Sequence, residues 1–107
     1  MAISKIQAAG KNGSGTLSST TTWVAVNGIC ILKIEGFDCP NRGQTYQLGT
    51  MPAGYRPKVL ARGCVRGAVI NGSPIAETVQ VATDGVISIW PNQPGTIWGE
   101  VIFDVAT

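Results

Sequence analysis

The chain has 107 residues, the usual length of one domain, and such a chain can bury a single core without metals or crosslinks. Its net charge of +2 comes from eight scattered basic and six acidic residues, and no basic stripe with interleaved aromatics suggests nucleic-acid binding. Hydrophobic residues make up 44% and charged residues only 13%, about half the usual charged share, which favours a surface partly covered by homo-oligomerisation.

The N-terminal residues lack the apolar stretch of a cleaved signal peptide, and no run approaches the roughly 20 apolar residues that cross a bilayer. We therefore expect neither signal-dependent export nor membrane insertion. The three cysteines, Cys30, Cys39 and Cys64, are odd in number and form no Cys-x-x-Cys pair. They predict neither a disulfide framework nor a zinc site, and reduced thiols fit synthesis in a cytoplasm, with a Cys30–Cys39 bridge as the alternative.

The first part of the chain differs in composition from the rest. Residues 10–22 read GKNGSGTLSSTTT, which is small, polar and turn-forming. Such a stretch cannot bury enough apolar area to offset its ordering entropy by itself. The sequence thus predicts a flexible polar arm over residues 1–22, able to become an edge strand in an assembly, followed by one β domain over residues 23–107.

From Trp23 onward, short β-type runs alternate with turn signals. Asn27-Gly28 is suited to a tight hairpin turn, and residues 29–35 follow as a strand. Alternation places Cys30, Leu32 and Ile34 on one face of that strand. Residues 36–43, with their Asp, Pro, Asn and Gly, are predicted to form a loop.

The remaining runs continue the same pattern to the C-terminus. Turns are predicted at Asn71-Gly72 and at Asp84-Gly85, and the last strand carries Val101, Phe103 and Val105 on one face. The strand candidates after the first loop are residues 45–48, 58–65, 68–70, 75–82, 86–89 and 97–106. About seven to eight short strands without a helical apolar repeat predict an all-β fold, an antiparallel β-sandwich or a barrel, of which the sandwich is favoured.

The residue types argue against catalysis. The chain has no histidine, which removes Ser-His-Asp and Cys-His machinery and the commonest metal ligand. Its six carboxylates are isolated in sequence, and Glu100 and Asp104 on one strand face would be about 13 Å apart, too wide for a glycosidase pair. We expect no enzymatic activity, no metal and no cofactor.

Three tryptophans are many for so short a chain. Either each packs in a core or a subunit seam with its indole N–H satisfied, or one or two are exposed for binding. Trp90 and Trp98 flank a polar turn that contains Asn92 and Gln93. An aromatic platform beside amides and hydroxyls can hold a sugar ring, so these four residues are the candidate ligand site.

Two further segments carry a family resemblance. Residues 48–57 read LGTMPAGYRP and residues 83–89 read TDGVISI, and Trp98 precedes a closing strand. This combination resembles the C-terminal head domains of bacteriophage tail fibres and receptor-binding proteins. The residues that carry the motif are Pro52, Gly54, Tyr55, Arg56, Pro57, Asp84 and Gly85.

The resemblance implies a jelly-roll-like sandwich, usually a homotrimer, at the tip of a phage fibre, with host-surface saccharide as the ligand class. It implies a virion location after synthesis in the host bacterial cytoplasm. In the motif, the prolines withhold donors from a strand ladder, Tyr55 lays its ring on the sheet, and Arg56 braces the same corner or a neighbouring subunit. The alternative is a structural capsid-decoration or baseplate component that binds only other virion proteins.

Overall fold

The computed structural model describes residues 11–106, and its elements are all β-strands. In chain order the eight strands are β1 (Gly13–Ser18), β2 (Thr21–Val26), β3 (Ile29–Cys39), β4 (Tyr46–Thr50), β5 (Ala61–Ile70), β6 (Ser73–Val81), β7 (Val86–Ile89) and β8 (Gly95–Asp104). Across the residues that the structure describes, there is no helix long and apolar enough to span a bilayer.

All eight strands belong to one antiparallel sheet, in the order β1-β2-β3-β8-β5-β6-β7-β4. The sheet curls until its two edge strands, β1 and β4, meet, where a Cβ built on Gly49 would lie 3.3 Å from the Cβ of Leu17. The result is a nearly closed, barrel-like body. The prediction of an antiparallel all-β fold with seven to eight strands is confirmed.

The predicted tight turns are present. Asn27 and Gly28 have φ of 51° and 80° between the paired strands β2 and β3, as a two-residue type I′ hairpin requires. Asn71 and Gly72 repeat this geometry between β5 and β6, with φ of 52° and 80°. The turn sequences therefore fix two of the hairpin registers locally.

The core follows the predicted alternation. Cys30, Leu32 and Ile34 point inward on β3, and Val101 and Phe103 meet them from β8. The core is completed by further buried residues of the same and the other strands and of two strand ends, namely Trp23, Ala25, Cys39, Leu48, Met51, Val65, Val79, Val81, Ile87, Ile89, Ile97 and Val105. Because successive side chains point to opposite sides of a strand, the same alternation leaves the intervening residues on the outer surface.

The N-terminal boundary differs from the prediction. Gly13–Ser18 forms β1 and pairs with β2 of the same chain, and the predicted boundary at residue 22 falls within β2. Residues 11–22 thus contribute to the sheet, whereas residues 1–10 of the predicted arm lie outside the described residues. Polar residues suffice here because the strand lies over Trp23 and supplies a backbone ladder.

Strand β3 is longer than predicted, and β5 is one strand instead of two. A bulge at Gly36, with φ of 85°, lets β3 continue past Glu35 to Cys39 opposite β8. A second irregularity between Arg66 and Val69 keeps β5 continuous along β6. At Gly36 and at Gly67 the sequence predicts the end of a strand, but the irregularity in the pairing lets the strand continue past the glycine.

Candidate functional site

One of the three tryptophans packs in the core, and the other two are exposed. Trp23 is buried on β2, and Gly15 of β1 lies so close that a Cβ there would be 2.6 Å from the indole Nε1. Trp90 and Trp98 are 58% and 44% exposed. Two large aromatic side chains are therefore available at the surface.

Trp90 and Trp98 do not form one platform. Trp98 lies on β8 and Trp90 follows β7, and strands β5 and β6 separate them in the sheet. Three steps between neighbouring strands correspond to about 14 Å. The Trp98 ring instead covers the β3 bulge, where a Cβ built on Gly36 would lie 3.2 Å from the ring. Trp98 thus packs over a glycine at the surface.

Asn92 and Gln93 bind inward through their backbones. The N–H of Asn92 lies 3.0 Å from both carboxylate oxygens of Glu77, and its side-chain Nδ2 donates to Oε1 at 2.9 Å. The N–H of Gln93 donates to Oε2 at 3.2 Å. The Asn92 amide predicted for ligand binding is engaged by an internal acceptor.

Glu77 is only 1% exposed, which is unusual for a carboxylate. Glu77 fits inside the sheet because Gly67 on β5 has no side chain. A Cβ on Gly67 would lie 2.7 Å from the Glu77 Cγ. Sequence reasoning missed this residue, although Val79 and Val81 already define the inward face of β6 and Glu77 has the same parity. The alternation along β6 places the charged side chain of Glu77 on the inward face, and this could have identified it as a buried carboxylate.

A groove on the outer surface contains Trp90 without the other predicted residues. It has a volume of about 230 Å³ and is lined by Thr45, Thr78, Gln80, Ser88, Ile89 and Trp90. Three hydroxyls and one amide, each able to donate and accept hydrogen bonds, surround one exposed indole. None of the lining side chains is charged.

Tyr55 of the resemblance motif links the segment of residues 51–60 to the start of β1. The Tyr55 hydroxyl donates to the backbone oxygen of Asn12 at 2.8 Å, and its ring lies 4.6 Å from the ring of Trp23. The Tyr55 N–H closes a turn onto the oxygen of Pro52 at 3.1 Å. Gly54, with φ of 97°, provides the left-handed backbone within that turn.

The two motif segments touch each other. Met51 donates its N–H to the oxygen of Gly85 at 2.8 Å, and Arg56 Nε donates to the oxygen of Met51 at 3.1 Å. A Cβ on Gly85 would lie 2.7 Å from that same Met51 oxygen. Asp84 completes the turn by accepting the N–H of Val86 on Oδ1 at 3.1 Å, and Pro57 bridges to Val105.

All three cysteines are free thiols, so the alternative Cys30–Cys39 bridge is not formed. Burial raises the pKa of the Cys30 thiol to about 11. Burial, and then the charges of Asp38 and Glu77, raise the pKa of the Cys39 thiol to about 11. Cys64 is exposed on the outer side of β5.

Within residues 11–106, no three Cys, Asp or Glu side chains come together as a metal site requires. The buried carboxylate of Glu77 already accepts hydrogen bonds on both of its oxygens. The groups that the Trp90 groove presents are hydroxyls, one amide and an aromatic ring.

Comparison of the chain with protein-family models, with curated proteins and with solved structures finds no match. The resemblance to phage tail-fibre heads remains a prediction that depends on the quoted motifs.

Proposed function

We propose that this chain is a non-catalytic virion module of the phage tail-fibre head type that binds a host-surface saccharide through the Trp90 groove. The observation that carries the proposal is the exposed indole of Trp90 beside the polar side chains of Thr45, Thr78, Gln80 and Ser88. The virion assignment rests on the sequence resemblance, whose two segments touch through Met51 and Gly85.

The chemistry of the groove fits a sugar ring. One face of a pyranose is lined by C–H groups that pack on an indole, while its hydroxyls require partners that both donate and accept. Thr45, Thr78 and Ser88 supply such hydroxyls, and Gln80 supplies an amide. Since the lining carries no charge, the groove suits a neutral saccharide.

A glycan array with the purified chain tests this proposal. Trp90→Ala is expected to abolish binding, and Gln80→Ala to weaken it, with circular dichroism unchanged. Trp98→Ala is the matched control, since it removes an exposed tryptophan on β8, outside the groove. Equal loss of binding in Trp90→Ala and Trp98→Ala would contradict the assignment of the groove.

A second candidate function is a structural capsid-decoration or baseplate component. The exposed apolar side chains Val69 and Ile70, at the tip of the β5–β6 hairpin, favour it because they suit a protein contact more than a glycan. A blank array, together with co-purification of the chain on capsids or baseplates, would support this second function over the first.

A further inference from the structure

The outer face of β2, β3 and β8 carries a contiguous apolar patch, formed by Val24, Val26, Ile29, Ile31 and Ile102. Val24 pairs with Ile31, and Ile31 pairs with Ile102, so the three form one row across three strands. Val26 and Ile29 form the next row. Directly opposed side chains lie about 5 Å apart, so the patch is continuous.

The patch is open to solvent within the part of the chain that the structure describes. Ile102 is 61% exposed, Val26 58% and Ile29 49%. Beside it, the segment with Val59 and Leu60 adds two more exposed apolar side chains and borders a cavity of about 360 Å³ against Ile102. Exposed apolar patches of a few hundred Å² mark interaction surfaces on soluble proteins.

A pair of opposite charges lies beside the patch and limits which partner surface can cover it. Lys33 of β3 and Glu100 of β8 lie directly opposite each other, one row beyond Ile31 and Ile102. A two-fold axis that runs above this face, parallel to β3 and β8 and midway between them, exchanges the positions of these two strands. It therefore brings Lys33 of one copy over Glu100 of the other, and Ile31 over Ile102.

We propose that a second copy of this chain covers the β2–β3–β8 face, with this two-fold axis. Two sheets packed face to face in aligned fashion bury their facing side chains in a layer about 10 Å thick. Each copy contributes the same residues of β3 and β8, as an isologous contact requires, and each Lys33 lies over the Glu100 of the other copy. At the edge of the contact Ile29 faces Asp104 of the second copy, whose carboxylate keeps contact with water.

The geometry favours a dimer over the trimer that the family resemblance implies. A three-fold arrangement joins two different patches of each subunit, whereas about this two-fold axis the β3–β8 pair meets its own copy, with Val24 and Val26 of β2 placed toward β5 of the second copy. Opposite charges that meet across a contact also fix its register, since like charges placed together cost several kcal/mol.

Light scattering on the full chain tests the proposal, with a mass twice the 11.2 kDa of one copy expected. Ile102→Lys is expected to weaken dimerisation by at least roughly tenfold, because it buries a charge in the apolar row. Val69→Lys is the matched control, since it changes a similarly exposed residue, 65% accessible, on the β5–β6 hairpin. It should leave the dimer intact.

A charge exchange tests the orientation. Lys33→Glu is expected to dissociate the dimer by placing like charges together, and the double variant Lys33→Glu with Glu100→Lys is expected to restore it. Circular dichroism on each variant separates dissociation from unfolding, and Lys33→Glu remains a sufficient test if Ile102→Lys does not fold. A monomer or a trimer for the unaltered chain, or a dimer that survives both Ile102→Lys and Lys33→Glu, would overturn the proposal.

Discussion

The buried carboxylate of Glu77 is held by Asn92, which donates its backbone N–H at 3.0 Å and its side-chain amide at 2.9 Å. This contact ties the loop after β7 to the inner face of β6. Trp90, the exposed wall of the groove, lies two residues before Asn92, and Pro91 between them is buried. The loop that presents Trp90 is therefore fastened from inside the sheet.

Glu77→Gln is expected to destabilise the fold by about 1–3 kcal/mol, because one acceptor oxygen is replaced by an NH₂ group that faces N–H donors. Urea unfolding of the two proteins measures the difference. Asp38→Asn, at an exposed position on β3, is the control and should change stability by less than about 0.5 kcal/mol. Equal effects of the two substitutions would contradict the structural role of Glu77.

Gly85→Ala is expected to destabilise the fold more than Gly72→Ala. Both glycines have positive φ in turns, 91° and 80°, so each substitution carries a backbone cost of about 1–2 kcal/mol. A Cβ on Gly72 would meet open space, whereas a Cβ on Gly85 would lie only 2.7 Å from the Met51 oxygen. Chemical denaturation gives both values, and their difference reports the contact between the two motif segments. No difference would argue against that contact.

Tyr55→Phe is expected to cost about 0.5–1.5 kcal/mol, since the Asn12 oxygen loses the hydroxyl that donates to it. The ring contact with Trp23 is kept, so the tryptophan fluorescence spectrum should shift little. Thermal unfolding measures the stability change. A variant as stable as the unaltered chain would show that the hydroxyl contributes nothing in solution.

Native thiol labelling is expected to modify one cysteine quickly at pH 8, namely the exposed Cys64. Cys30 and Cys39 are fully buried, and their pKa values are raised from 9.0 to about 11, so both access and thiolate formation are suppressed. All three should react after denaturation. In Cys64→Ser the fast phase should vanish, and a fast phase that persists would contradict the burial of the other two.

The same raised pKa values predict a loss of stability at high pH. The folded state favours the neutral thiols, so their contribution is complete below the unfolded pKa of 9.0 and declines as the pH rises toward about 11. Denaturant unfolding at pH 8 and pH 10.5 compares the two conditions. The Cys30→Ala and Cys39→Ala variants should show a weaker dependence, and an unchanged dependence would assign it to other groups.

The sequence by itself determined most of the strands, the tight turns and the inward faces. Asn27-Gly28 and Asn71-Gly72 specify tight hairpins because they tolerate positive φ, and strict alternation assigns residues such as Leu32 and Val101 to the core. These features depend on neighbours in the chain, so local reasoning reaches them.

Only the tertiary structure decided which residues of different strands become neighbours. The order of the strands separates Trp90 from Trp98 by two strands although they are close in sequence, and it brings Thr45 to Trp90 from a distant segment. It also places Gly67 beside Glu77, which makes room for a buried carboxylate. Strand order is a global property of the sheet, set by the sum of long-range pairings, and no local pattern of residues encodes it.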